Sequence, residues 1–420
     1  MSYIIRQATL LQKGNTQHKK KVDVFIKDGI IQQINQNISG VSAAEIRGHE
    51  LFISSGWVDM RCSLTDPGFE HKDDLSSLLD SAASGGFTTV ITLPNSLPKI
   101  IDKSGISYLK NASKNHLVNL KPTGFIEDPD SKNNLTEMYD MFQTGAVAFT
   151  NGDEEISNGL LRKALLYTKP LDAFIISHPS DKSLEHGGMV HESSTLVTTG
   201  LKMAPSISEY VSLSQQLAVA EYCNAPIHFS CISTTESVSL IREAKKRGLK
   251  VTCDVSIFNL CFTDERVLSF DENFKVYPPL RSESDQKALI DGILDGTIDA
   301  ISSNHSSQNL ESKVVEFDYA AYGVLSQPFM VAWYEKYLAK AISIDCFVNK
   351  LTSGPSSIIN HQEVKIEEGS TANLTVLDSQ KKWIFNEETN YSKSNNTHEW
   401  EAEQKGAVVA VFNNNCVNLY

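Results

Sequence analysis

Gly56-Trp57-Val58-Asp59-Met60-Arg61-Cys62-Ser63-Leu64-Thr65-Asp66-Pro67-Gly68-Phe69-Glu70-His71-Lys72 is the stretch on which the reading of this chain turns. It continues an apolar, strand-like run at 51–58, and the polar residues Asp59, Arg61 and Ser63 follow at alternate positions. Alternate side chains of a strand project to one side, so these three are expected to face one interior.

The surroundings bound what that interior can be. At 420 residues the chain exceeds one ordinary core, and its length suggests roughly two to three domains, or one barrel with an accessory module. The hydrophobic share of 41% and charged share of 21% are those of a soluble globular protein. A net charge of −13 argues against nucleic acid or an anionic membrane surface as partner. No apolar run approaches the roughly 18 residues that span a bilayer, and Met1-Ser2-Tyr3-Ile4-Ile5-Arg6 lacks the layout of a signal peptide. Seven scattered cysteines without a C-x-x-C pair fit a reducing cytoplasm, with neither a disulfide framework nor a zinc ribbon.

Residues 1 to about 50 form short strand-like runs, Ser2–Leu10, Lys21–Lys27 and Ile30–Asn35, with Asp28-Gly29 as a two-residue hairpin turn. From about Glu363 the texture returns in Leu374–Leu377, Trp383–Phe385 and Ala407–Phe412, interrupted by a polar, Asn-rich loop from Asn386 to Thr397. The two ends are expected to meet in one composite β-domain, 1–50 with 363–420. Between them, apolar runs at 51–58, 87–93, 118–125, 145–150, 172–178, 225–232, 249–256 and 298–304 alternate with helical patterns. Val238, Ile241, Ala244 and Gly248 share a helix face behind the caps Ser233-Thr234-Thr235, as do Leu289, Ile293 and Leu294 after Ser282–Asp285. Eight strands with intervening helices predict an α/β fold with a (β/α)8 barrel over 51–362, whose chemistry sits at the C-terminal strand ends. A doubly wound open sheet is the alternative, but no G-x-G-x-x-G or phosphate loop follows any strand.

Several segments carry a family resemblance. They are Asp66-Pro67-Gly68-Phe69-Glu70-His71-Lys72, Gly85-Gly86-Phe87-Thr88-Thr89-Val90 with Leu93-Pro94-Asn95, and Gly145-Ala146-Val147-Ala148-Phe149-Thr150. Further on come Ser233-Thr234 with Ser237-Val238, Pro278-Pro279-Leu280-Arg281-Ser282-Glu283 and Asp295-Gly296-Thr297-Ile298-Asp299. Over almost its whole length the chain resembles the dihydroorotases of the amidohydrolase superfamily, in the longer form that partners aspartate transcarbamoylase. The resemblance implies a barrel with a small β-sandwich-like domain formed by both termini, and a zinc centre at strand ends one, four, five, six and eight.

Matched residue by residue, that implied centre is degenerate. The first-strand histidines correspond to Arg61 and Ser63, and the Asp after the fourth strand to Asn151, followed by Gly152-Asp153. The fifth-strand His is kept as His178, the sixth-strand His becomes Cys231, and the catalytic Asp of the eighth strand becomes Asn304. Of the substrate-binding set Asn95 and His305 are kept, while Thr65, Tyr277 and Gln308 replace an Arg, an Asn and a His. Phe258 and Asn259 stand where the family has two further histidines. No cofactor is expected. Arg61 is expected to pair with Asp59 or Asp153.

Two catalytic alternatives stay open. A rearranged metal site would draw on His178, His186, His191, His228, Cys231 and Asp153, although His228 and Cys231, three apart on a strand, are expected to face opposite sides. A thiol nucleophile would be Cys62 or Cys231 beside His178, in an atypical cyclic-amide hydrolase. The leading expectation is a dihydroorotase homologue of pyrimidine biosynthesis that has lost catalysis and serves as assembly partner of aspartate transcarbamoylase, with a homo-oligomer also open.

Overall fold

The computed structural model describes residues 1–171, 173–359 and 363–420. Residue 172, the expected start of one strand, and residue 362, the expected end of the barrel, lie outside them. Eight strands form one parallel sheet: β1 Trp57–Cys62, β2 Phe87–Thr92, β3 Asn119–Phe125, β4 Ala148–Thr150, β5 Phe174–Ser177, β6 Ile227–Phe229, β7 Val251–Ser256 and β8 Ala300–Ser302. Each pairs with the next in sequence. The sheet closes where Cys62 bridges His305, with Ser63 N–H donating to the His305 carbonyl at 2.8 Å and Asn304 N–H to the Arg61 carbonyl at 3.1 Å. Every residue of β1 and β2 is buried, as a parallel sheet covered on both faces requires. This is the expected (β/α)8 barrel.

Helices cover it through capped, amphipathic segments. Leu75–Ser84 starts from Asp74, whose carboxylate accepts from Ser77 N–H, and buries Leu75, Leu78, Leu79 and Ala82. Thr235–Lys246 is capped by Thr234 and buries Val238, Ile241 and Ala244. Gly248, expected on that face, lies beyond the helix end at a φ of 83°. Glu283–Leu294 is capped by Ser282 and buries Leu289 and Ile293. Leu294 is exposed, because five residues beyond Leu289 the helix has turned about 140° past a full turn.

The apolar run at 51–58 is two strands, not one. Leu51–Ser55 pairs with Ser2–Leu11 and Leu374–Ile384 in a second sheet, and β1 begins after Gly56. A Cβ on Gly56 would collide with Asn373 and Thr88, so the crossing from sheet to barrel needs glycine. The second sheet runs Cys416–Leu419, Glu403–Asn413, Leu374–Ile384, Leu51–Ser55, Ser2–Leu11, Lys21–Lys27, Ile30–Asn35, with Ala44–Ile46 beside Ser2–Leu11. Both ends of the chain therefore contribute to it. Asp28 and Gly29 have φ of 50° and 74°, the backbone of the expected hairpin turn. The runs read as Leu374–Leu377 and Trp383–Phe385 are one strand whose pairing slips between Asp378 and Lys382. Ile5, Val22, Val24, Ile53, Val376 and Ala410 form the core of this sheet.

Candidate functional site

The C-terminal ends of the barrel strands gather most of the residues the sequence singles out. β1 reaches them with a break in its alternation, since its register against β2 slips between Asp59 and Cys62. Met60 packs with Ile91, Ala148, Ile176 and Ala300, drawn from four other barrel strands. Asp59 does not share the side of Arg61. Its carboxylate accepts from Ser303 N–H at 2.9 Å and Gln327 Nε2 at 3.0 Å, and burial pushes its pKa up to about 6 against those bonds.

Arg61 is buried and forms the centre of the cluster. Its Nη2 bonds Asp153, and its Nε donates to Asn304 Oδ1 at 2.9 Å. Of the two expected partners, then, Asp153 holds the guanidinium and Asp59 does not. Burial opposes the charge on Arg61, but Asp153 and the deeper Asp254 outweigh it and hold the group cationic. In return, Arg61 holds the Asp153 carboxyl below the usual carboxylate range despite its desolvation. Asn304, at a left-handed φ of 51°, spends both ends of its amide: Nδ2 donates to the Tyr277 carbonyl at 2.9 Å. A carboxylate at 304 would put an oxygen against that carbonyl, so the position is built for an amide.

His178 is buried and presents Nδ1 to the Ser230 carbonyl at 3.0 Å. A carbonyl only accepts, so Nδ1 carries the proton and Nε2 keeps its lone pair. Burial, then the Arg61 cation, lowers its pKa and keeps the ring neutral. The Tyr277 ring lies 4.9 Å from it. The Tyr277 hydroxyl meets Ser180 Oγ at 2.8 Å and Glu185 Oε1 at 2.6 Å and accepts from Lys182 Nζ, whose ammonium stands over the ring. This latch fastens the short helix Lys182–Glu185 across the barrel end. Sequence reasoning singled out Tyr277 and missed its partners, which lie more than 90 residues away in a loop with no distinctive pattern.

His228 and Cys231 both meet Asp254, His228 through its ring and Cys231 through its backbone. His228 Nε2 meets Asp254 Oδ2 at 2.8 Å, and Cys231 N–H donates to Asp254 Oδ1 at 3.0 Å. β6 ends at Phe229, and Cys231 takes a φ of 53° that turns the chain back. Asp254 was missed, although a carboxylate in the apolar run of β7 was its signal. Ser302 Oγ also donates to it at 2.7 Å, and these partners outweigh burial to lower its pKa. The Cys231 thiol lies 3.5 Å from Ser302 Oγ, and burial pushes its pKa up. The Cys62 thiol points to the Ile91 carbonyl at 3.7 Å and is likewise pushed up. Among the described residues no cysteine hydrogen-bonds a histidine.

Asn151 accepts from Glu127 N–H at 3.2 Å, and the Asn95 amide lies where a Cβ on Gly152 would fall. Ser63 contributes the backbone bond that closes the barrel. Three expected substrate residues are committed elsewhere. Thr65 Oγ1 donates to the Asp73 carbonyl at 2.7 Å, and Gln308 Nε2 to the Tyr322 carbonyl at 2.8 Å. His305 is wholly buried, with Nδ1 accepting from Ser326 and Gln327 N–H and Nε2 meeting Ser307 Oγ at 3.1 Å. Burial drops its pKa to about 4. His186 lies at the end of the latch helix and His191 beside Arg281, so neither joins His178. Among the described residues no three His, Cys, Asp or Glu side chains converge as a metal-binding group. Nor is any helix there long and apolar enough to cross a membrane.

Comparison with known proteins gives this architecture its relatives. The L-hydantoinase (dihydropyrimidinase) of Arthrobacter aurescens superposes with a TM-score of 0.84 at 20% identity, covering 99% of this chain and 95% of the other. A D-hydantoinase gives 0.82, also at 20% identity, with 100% and 95% covered. These likenesses define the class by fold: a parallel eight-stranded barrel beside a β-rich unit. Residues 51–237 match the dihydro-orotase-like family model. The dihydroorotase of Acetivibrio thermocellus is 34% identical over 380 residues, 90% of this chain and 89% of that protein. That of Pelotomaculum thermopropionicum is 35% identical over 381 residues, with the same coverage. The chain belongs to the dihydroorotase family.

Proposed function

We propose that this chain is a non-catalytic dihydroorotase-family protein of pyrimidine biosynthesis that acts as an assembly partner of aspartate transcarbamoylase. The observation that carries the loss of catalysis is the Arg61 guanidinium, buried at the strand ends between Asp153 and Asn304. The zinc that the family resemblance implies does not fit this donor set. Zinc takes neutral imidazoles, thiolates and carboxylates, at least three from the protein in catalytic sites. Here the positions hold a permanent cation, a serine, two amides, a thiol whose pKa is raised and one imidazole. Two unit charges about 4 Å apart repel by roughly 4 kcal/mol at an effective dielectric near 20, and a divalent ion by about twice that.

Acid–base chemistry is missing from the same place. The Asn304 amide neither accepts nor delivers a proton at neutral pH, and Cys231 and Cys62 are held as thiols, without the thiolate a nucleophile needs. Tyr277 stands over His178 and is latched by Ser180, Lys182 and Glu185, where a substrate would have to enter.

The partner rests on the family resemblance. Its test is size-exclusion chromatography with light scattering on the aspartate transcarbamoylase catalytic chain of the same organism, with and without this protein. The expected result is one larger species containing both chains. Independent elution at micromolar concentrations would contradict the assembly role.

A further inference from the structure

Two segments flanking the barrel end carry a concentration of exposed apolar side chains. In 264–274 these are Leu268 and Phe270, both 46% exposed; in 310–322 the most exposed are Leu310, Val314 and Tyr319, at 60%, 69% and 81%, ahead of Tyr322 at 38%. The segments lie side by side. The Phe270 and Phe317 rings are 6.4 Å apart, and Val267 and Phe317 share one small core with Val190, Leu196 and Leu201. Val197, next to Leu196, adds a further exposed apolar side chain. Apolar residues scattered singly over a surface need no explanation, whereas clustered ones mark an interaction site.

Beneath this surface two buried lysines fasten the segments to each other. Lys313 Nζ donates to the carbonyls of Glu272 at 2.5 Å, Ala321 at 3.0 Å and Gly323 at 3.0 Å. Lys275 Nζ donates to those of Phe317 at 2.8 Å and Asp318 at 2.9 Å. Each ammonium is nearly out of solvent and bonds backbone carbonyls. Taking a lysine out of water is costly, and here it pins both loops in one relative arrangement. The apolar face is thus pre-organised, which lowers the ordering cost of docking.

The charges of the two segments are mostly acidic, with Lys393 and His71 bordering Leu310. Glu265, Asp271, Glu272, Glu311, Glu316 and Asp318 lie in the same two segments, and Arg266 is their one exposed cation. Two copies meeting through this face about a two-fold axis would bring acidic rim against acidic rim, and an anionic membrane or nucleic acid would be repelled as well. A protein surface with an apolar centre ringed by lysine and arginine would be complementary.

We propose that the face formed by Val197, Leu268, Phe270, Leu310, Val314 and Tyr319 is the docking surface for a protein partner with a basic rim, and that aspartate transcarbamoylase engages the chain here. The second clause rests on the assembly reading above. The test measures binding of the purified aspartate transcarbamoylase catalytic chain by wild type and by Val314→Glu/Tyr319→Glu, Glu316→Lys/Asp318→Lys and, as a control on an outer helix, Tyr222→Glu. All five substituted positions are exposed, so unchanged circular dichroism is expected. The first two variants should weaken binding at least tenfold and Tyr222→Glu should not, while added salt weakens the wild-type complex. Wild-type binding that both face variants leave unchanged would overturn the surface and spare the assembly reading. No binding by wild type would overturn the assembly reading and, with it, this partner for the face.

Discussion

At Arg61 the chain buries a guanidinium whose countercharge, Asp153, is half exposed, so the two ways of breaking the pair should differ. Arg61→Met removes the buried charge and leaves Asp153 to water, at a cost of about 1–2 kcal/mol, mostly from Asn304 Oδ1 losing its donor. Asp153→Asn leaves the guanidinium buried with a neutral partner and should cost about 3 kcal/mol. Urea denaturation of both variants decides it. A larger loss for Arg61→Met would mean that Asp254, not Asp153, neutralises the guanidinium. Asn304→Asp is expected to restore no dihydroorotate turnover, because a carboxylate there meets the Arg61 Nε and the Tyr277 carbonyl rather than a metal. Turnover in that variant would contradict the account of position 304.

Among the elements, the segment 386–402 between the last two long strands does more than connect them. Asn396 bonds Gln308 N–H at 3.0 Å and the Ser306 carbonyl at 3.0 Å, and Ser392 and Lys393 bond the Asp73 carboxylate at 2.7 and 2.9 Å. It thereby fastens the loops that follow β1 and β8. Glu399 anchors it, with Gln404 Nε2 at 2.8 Å, His398 Nε2 at 3.2 Å and Lys336 Nζ at 3.3 Å. Burial would raise the Glu399 pKa, but His398 and Gln404 bring it down to about 2. A carboxyl depressed in the folded state stabilises above its unfolded pKa, and that contribution fades as pH falls through the folded value. Glu399→Gln should therefore cost about 3 kcal/mol at pH 7, with the deficit shrinking between pH 4.5 and 2. A pH-independent deficit would mean that Glu399 contributes packing rather than charge. On the helix Glu283–Leu294, Leu289→Ala should cost about 2–4 kcal/mol and Leu294→Ala under about 0.5 kcal/mol, read from denaturation midpoints.

For the molecule as a whole, the barrel was legible in the sequence because its strands are short apolar runs bounded by polar, capping residues. The placement of Arg61, Asn151, His178, Cys231 and Asn304 at strand ends was legible through the family resemblance, which fixes where strand ends fall. What escaped depends on backbone turns that composition does not record: the register slip that turns Asp59 away from the Arg61 guanidinium, the left-handed Cys231, and Gly56 dividing one apolar run between two sheets. The latch of Lys182 and Glu185 on Tyr277 and the buried Lys275 and Lys313 escaped because charged residues in loops read as surface. Together these features describe a family barrel whose strand ends are crossed by bonds among its own side chains.

The central claim, that this chain no longer carries its family's metal chemistry, is tested most directly by one determination on one sample: zinc content by elemental analysis, with dihydroorotate hydrolysis measured in added zinc. The account predicts less than about 0.1 zinc per chain and no turnover. Stoichiometric zinc with turnover would contradict it, and would mean that His178 and the Asp254 cluster rearrange into a working centre.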